Sequence, residues 1–313
     1  MMIPFKPYFC KKMLKPPAGL FDVSYSALMN GSLAVLRSDC DVLGHWHHNL
    51  EKGFHDKAIL GKDAKGFLYI SDGDLEWPVM EFPLESPFPL FDRRPNGEWI
   101  FVQSRCSFAE ENAICYDPSG RVLRRFNVGD AVQHIQSDVN GMLWVGYFDE
   151  GFYRNKGWNK SGLRSSFDVT GLLQFNSDGQ PVWASPVPIL DCHALNVAER
   201  VWAYYYPEFE VLEIGSDGIE KTWKTDIQGA KAFAVAGCFA LFAGGYGDNY
   251  DQVVLVECKN SVVKKLATFK LKFYREKTTC FRPTFFGGRG PLLHLVYDNV
   301  WVRLNIHEMC SEI

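Results

Sequence analysis

Apolar and polar positions in this chain alternate over short runs, the pattern of half-buried strands rather than of amphipathic helices. One unit recurs: a turn that ends in Gly or a substitute, followed by a short apolar strand. It reads NGSLAVL at 30–36, KGFLYIS at 65–71 and NGEWIFV at 96–102. It returns as NGMLWVG at 140–146, ERVWAYY at 199–205, GCFALFA at 237–243 and GPLLHLV at 290–296. The mean spacing, about 43 residues, matches the ~40–50 residues of one β-propeller blade. A second unit follows the first: a strand, a polar turn with Gly or Asn, and another strand, as in AICYDPSGRVLRRF at 113–126 and VLEIGSDGIEKTW at 211–223. Such turns between alternating runs signal hairpins. Together the two units make a four-stranded module.

The expected fold is therefore all-β: a single β-propeller of four-stranded antiparallel blades over residues 1–313. The seven copies of the first unit favour seven blades. Six is the alternative, because the copy at 30–36 is the weakest. The last blade offers only three strands before the chain ends. Residues 1–20, around Ile3–Phe9, are the segment that can supply the fourth and close the ring, removing the open edges.

The stretch SDVNGMLWVGYFDEG, with GLLQFNSDG after it, resembles the repeat of bacterial two-component regulator-type propellers. Asp138, Gly141, Leu143, Trp144, Val145 and Gly146 match that repeat, as do Gly171 and Leu172. The resemblance covers one blade closely and the chain loosely. It implies the fold and carries no activity with it.

Composition narrows the function classes. The formal net charge of −4 provides no basic field for phosphates, so no nucleic-acid partner is expected. The longest uncharged stretch, residues 232–247, falls short of a spanning helix and is broken by Gly237, Gly244 and Gly245, so no membrane is expected either. The nine cysteines (10, 40, 106, 115, 192, 238, 258, 280 and 310) show no zinc or redox spacing. A reducing, cytoplasmic location follows. No cofactor is expected.

In a four-stranded blade the second-to-third and fourth-to-first connections share one face. Short turns such as RPNG, DVNG and VAER fall on the other. The first face receives the longer segments SDCDVLGHWHHN, SDGDLEW, QSRCSFAEEN, YFDEGFYRNKGWNKSG, YYPEFE and GGYGDNYD. Loops held by a rigid scaffold are where binding usually resides. Acids outnumber bases there, which favours a cationic partner.

On this face the candidate binding residues are Trp46, Trp77, Tyr147, Phe148, Asp149, Glu150, Trp158, Tyr206, Tyr246 and Asp248. Aromatic anchors rimmed by charge point to a protein or peptide partner, as for a sensor, an adaptor or a toxin-neutralising protein. The alternative is a propeller hydrolase or lyase acting on a glycan or similar polar substrate. Its carboxylates would be Asp149, Glu150 and Asp191, with His193 beside them, their pKa values split by environment. Non-catalytic binding is favoured over it. His45 and His47, at i and i+2, can share a metal. A third ligand would have to come from elsewhere; the sequence has no H-E-x-x-H helix or matching cysteine, and solvated loop histidines are the commoner arrangement.

Overall fold

The computed structural model describes residues 10–42, 60, 63–107, 109–154, 170–259, 261–271, 283–297 and 299–310. The chain opens with β1 (Cys10–Met13). The first blade follows as β2 (Phe21–Ala27), β3 (Leu33–Ser38), β4 (Lys65–Ser71) and β5 (Glu76–Pro83). The second holds β6 (Pro89–Arg93), β7 (Trp99–Gln103), β8 (Ala113–Tyr116) and β9 (Val122–Phe126). The third holds β10 (Val132–Ser137), β11 (Leu143–Tyr147), β12 (Leu172–Phe175) and β13 (Pro181–Ala184), with the short helix α1 (Asp149–Arg154) after β11. The fourth holds β14 (Asp191–Val197), β15 (Val201–Tyr206), β16 (Glu210–Gly215) and β17 (Gly218–Lys224). The fifth holds β18 (Ala232–Ala236), β19 (Phe239–Ala243), β20 (Gln252–Lys259) and β21 (Val262–Lys270). The sixth holds β22 (Phe285–Arg289), β23 (Leu292–Tyr297) and β24 (Val300–Asn305), with α2 (Ile306–Cys310) after it.

The sixth blade takes its outermost strand from the other end of the chain. β1 pairs antiparallel with β24, from Cys10↔Arg303 to Met13↔Val300. The segment Ile3–Phe9 lies outside the described residues. Each first strand touches the first strand of the next blade, and β22 touches β2, so six inner strands form a closed ring. Six apolar clusters fill the six gaps between neighbouring blades. The fourth and fifth blades also meet at their rims, through one parallel pairing at Lys224↔Val262.

Six blades among the described residues, where seven repeat copies favoured seven, have a local explanation. The copies at 30–36 and 65–71 belong to one blade: the first supplies β3, and the second is its third strand, β4. The true turn glycines show the difference. Gly31 sits at φ +83° before β3, a left-handed conformation that glycine adopts without a Cβ clash. Gly66 has no such φ; it lies inside β4, where a Cβ would come 2.7 Å from the Phe82 ring. This moves one of the long loops. SDGDLEW joins β4 to β5 and so lies on the tight-turn face, where Arg303 donates to the carbonyls of both Gly31 and Asp72.

The second strands are buried on both faces because blades pack against each other; all of β11 (LWVGY) is buried. Outermost strands face solvent on one side, and β21 (VVKKLATFK) is polar accordingly. Among the described residues no helix is long and apolar enough to cross a membrane.

The ring is tied across its axis by buried polar groups at the C-terminal ends of the inner strands. Arg289 Nη2 donates to the Ser137 carbonyl at 2.5 Å, and Nη1 lies 3.4 Å from Asp92 Oδ2. The Ser137 amide donates to that same oxygen at 2.6 Å. Gln136 donates to the Gly288 carbonyl (2.9 Å) and accepts from the Val197 amide (2.7 Å). Asn196 donates to the carbonyls of Phe233 (2.9 Å) and Gly290 (3.0 Å) and accepts from the Gly290 amide (2.8 Å). These bonds join the second to the sixth blades. Gly288 permits the approach: a Cβ there would stand 1.9 Å from the Phe233 carbonyl oxygen.

Two stability predictions follow from this interior. Arg289→Met leaves the Asp92 carboxylate buried without its cation, so urea unfolding should show a loss of about 3–5 kcal/mol, and adding Asp92→Leu should restore much of it. A loss no larger than that of an exposed ion pair, below ~1 kcal/mol, would remove the plug from its structural role. His294 is fully buried, stacked on Trp301 at 5.6 Å, and among the described residues neither ring nitrogen has a hydrogen-bond partner. Burial, with Arg303 and Arg289 nearby, pushes its pKa down to about 3. Below pH ~6.5 the unfolded chain takes up a proton that the folded ring refuses, so stability falls as pH drops from 6.5 toward 3. Between pH 7 and 5 the loss from this ring should reach about 1–2 kcal/mol, and His294→Phe, which keeps the stack, should flatten that part of the profile.

Candidate functional site

Above the plug the channel widens into a cavity of ≈ 830 Å³, lined by the first halves of the inner strands. Gln136 and Gly288 reach its floor; Asp22, Tyr25, His134 and Lys231 stand around it. Its polar groups are largely engaged. Asp22 accepts from Arg37 Nε (2.8 Å) and from the Tyr25 hydroxyl (3.0 Å). Arg37, fully buried, also donates to Glu76 (2.6 Å) and lies 4.5 Å over the Tyr69 ring. Burial and the Asp22 charge push the Tyr25 phenol pKa up, so it stays protonated. His134 Nε2 lies 3.0 Å from the His193 carbonyl, which can only accept, so Nε2 carries the proton. Burial pushes His134 down to about 4, leaving it a neutral imidazole at pH 7.

Beside the mouth, between the fourth and fifth blades, a second group of residues comes together. The β14–β15 ladder shifts register between Cys192 and Ala194. The bulge sets His193 into the gap facing the fifth blade, as bulges re-aim side chains. Its Nε2 lies 3.4 Å from Asp191 Oδ2. The Tyr206 ring runs parallel to it (11°, 6.1 Å), while Tyr246 meets it edge-on (89°, 6.0 Å). Phe209 completes the set, 5.9 Å from His193 and 5.5 Å from Tyr206. It holds a left-handed φ of 54°, unusual for a side chain with a Cβ. Tyr204 and His193 are buried, whereas Tyr206 and Tyr246 are 41% and 48% exposed. Burial, then Asp191 and Tyr206, raise the Tyr246 phenol pKa, which puts these three groups within electrostatic reach of each other.

Of the residues picked from the sequence, Asp191, His193, Tyr206 and Tyr246 thus meet. The others do not join them. Tyr147 ends the buried strand β11 and donates its hydroxyl to the Val128 carbonyl; it is core, with no ring surface to offer. Phe148 lies under Arg105 (5.3 Å). Asp149 and Glu150 start the short helix α1. Asp149 accepts from the Glu150 amide (2.8 Å), and Glu150 pairs with Arg105 (2.7 Å). Neither lines the cavity. Trp77, 39% exposed, sits on the outermost strand of the first blade by the tight-turn face, away from the other anchors. Asp248 is exposed in a 3-10 turn, its carbonyl near Lys270 Nζ at 3.4 Å. Trp46, Trp158, His45 and His47 lie outside the described residues. Among the described residues no group of three His, Cys, Asp or Glu can hold a metal. Burial raises the Cys192 thiol pKa far from nucleophilic range.

Phe209, which the alternation assigns to inter-blade packing, packs on the core between the fourth and fifth blades and also supports the two exposed rings; the axial network was not anticipated. A polar residue inside an apolar inner strand, as in VQHIQS or DCHALNV, was the available signal.

Comparison with known proteins gives the fold and little more. The YxzG family model matches residues 165–270. No curated protein matches the chain. Among solved structures, the chain is similar to virginiamycin B lyase from Staphylococcus aureus, at 12% identity and a TM-score of 0.51, covering 94% of this chain and 98% of that one. It is also similar to a chain of a mitotic checkpoint complex, at 8% identity and a TM-score of 0.52, covering 93% and 76%. Both are β-propellers, and identities this low speak for architecture alone.

Proposed function

We propose that this protein is a non-catalytic binding module that holds a protein or peptide partner on the loop face, at the junction of its fourth and fifth blades. One observation carries the reading: Tyr206 and Tyr246 stand exposed, packed on His193 and Phe209 beside the Asp191 carboxylate. Rings held in place and open to solvent lose little conformational entropy on binding and supply much of the energy of a protein contact. The cavity beside them suits a protruding segment of the partner. A sensor, an adaptor or a toxin-neutralising protein would each use such a face. Free thiols at Cys106, Cys115, Cys192, Cys238, Cys258 and Cys310 fit a reducing, cytoplasmic setting.

The cavity's volume is what favours the second reading, a hydrolase or lyase acting on a polar substrate. The carboxylates weigh against it: Asp22, on the cavity wall, is held by Arg37 and Tyr25, while Asp149, Glu150 and Asp191 do not line the cavity and Glu150 is held by Arg105. A general acid or base needs a carboxylate that can exchange its proton with substrate.

The test is an affinity pull-down from native lysate with wild type, Tyr206→Ala/Tyr246→Ala and Trp77→Ala, all matched for melting temperature. A stoichiometric partner should be retained by wild type and by Trp77→Ala and drop about tenfold or more with the double variant. Equal retention by all three would contradict the reading.

A further inference from the structure

We infer that the corner formed by Tyr206, Tyr246 and Asp191 is a site for an organic cation, filled by a positively charged side chain of the partner. This rests on the proposed binding face. Tyr206 lies parallel to His193 and Tyr246 perpendicular to it, so the two exposed rings form nearly perpendicular walls. Phe209 packs against both, at 5.5 Å from Tyr206 and 6.2 Å from Tyr246. Ring faces carry negative charge density, and walls at an angle let one cation meet both.

The third element is charge. Among the described residues Asp191 Oδ1 has no hydrogen-bond partner, and Oδ2 meets only His193, at 3.4 Å. Among the described residues no lysine or arginine pairs with Asp191. Lys231, the nearby base, lines the channel cavity instead. A carboxylate this poorly compensated, set behind two open aromatic faces, attracts a cation and discriminates against a neutral group of the same shape. The backbone holds the corner open. A Cβ on Gly229 would come 2.7 Å from the Tyr246 ring, so the ring lies directly on the glycine backbone.

The probe is tetramethylammonium, titrated into the full chain while the tyrosine ring resonances are followed by NMR. Its neutral isostere, 2,2-dimethylpropanol, is the control. Saturable shifts of Tyr206 and Tyr246 are expected in the millimolar range, as suits a ligand of few atoms. The isostere should bind about tenfold more weakly, Asp191→Asn should weaken the cation about threefold or more, and Tyr246→Leu should abolish the response. Equal binding of the two probes, no saturable shift, or undiminished binding to both variants would overturn the assignment. If the cation fails while the tyrosine double variant still loses its partner, the binding face stands and the cation site falls. If the cation binds while no partner is retained, the site stands and the protein-binding reading falls.

Discussion

Arg289 carries a full positive charge where water does not reach. It is tolerated there because the Asp92 carboxylate and the Ser137 carbonyl meet it from two other blades. A propeller is a ring of sheets that touch mainly their neighbours. The axial bonds add contacts across its centre: they join inner strands of the second to the sixth blades at the tight-turn end, where Gln136 and Gly288 also line the cavity.

Ring closure uses the complementary device. The gap between the last and first blades holds a small apolar cluster of Leu14, Leu33, Val35, Val296 and Trp301. Beside it, Arg37 is held by Asp22 and Glu76 and stacked on Tyr69. Closure therefore combines a strand from the chain's beginning with a buried ion network that opens onto the cavity wall at Asp22. Stability and the shape of the recess are coupled through that residue, so changes made to alter binding at Asp22 will also load the seam.

The architecture was legible because its signal is repetitive: alternating runs and turn glycines at blade spacing leave little but a propeller. The count was not, because a third strand preceded by Lys-Gly mimics a second strand preceded by a turn. Only the φ of Gly66 and the pairing of β3 with β4 separate the two. That single misassignment also placed Trp77 on the wrong face. Asp191, His193, Tyr206 and Tyr246 were legible one at a time, as polar and aromatic groups in loops or at strand ends. Their convergence was not, since it depends on a bulge at His193 and on the packing of two blades. Tyr147 failed for the opposite reason: GYFDEG reads as a loop, but β11 carries the tyrosine into the core before the loop begins.

Site-specific photocrosslinking in the native host addresses the central claim most directly. A benzophenone amino acid placed at position 246, and separately at position 77, compares the loop face with the tight-turn face in one experiment. The account predicts a discrete crosslinked protein from position 246 and none from position 77. Crosslinking from position 77 alone, or the same product from both, would contradict it.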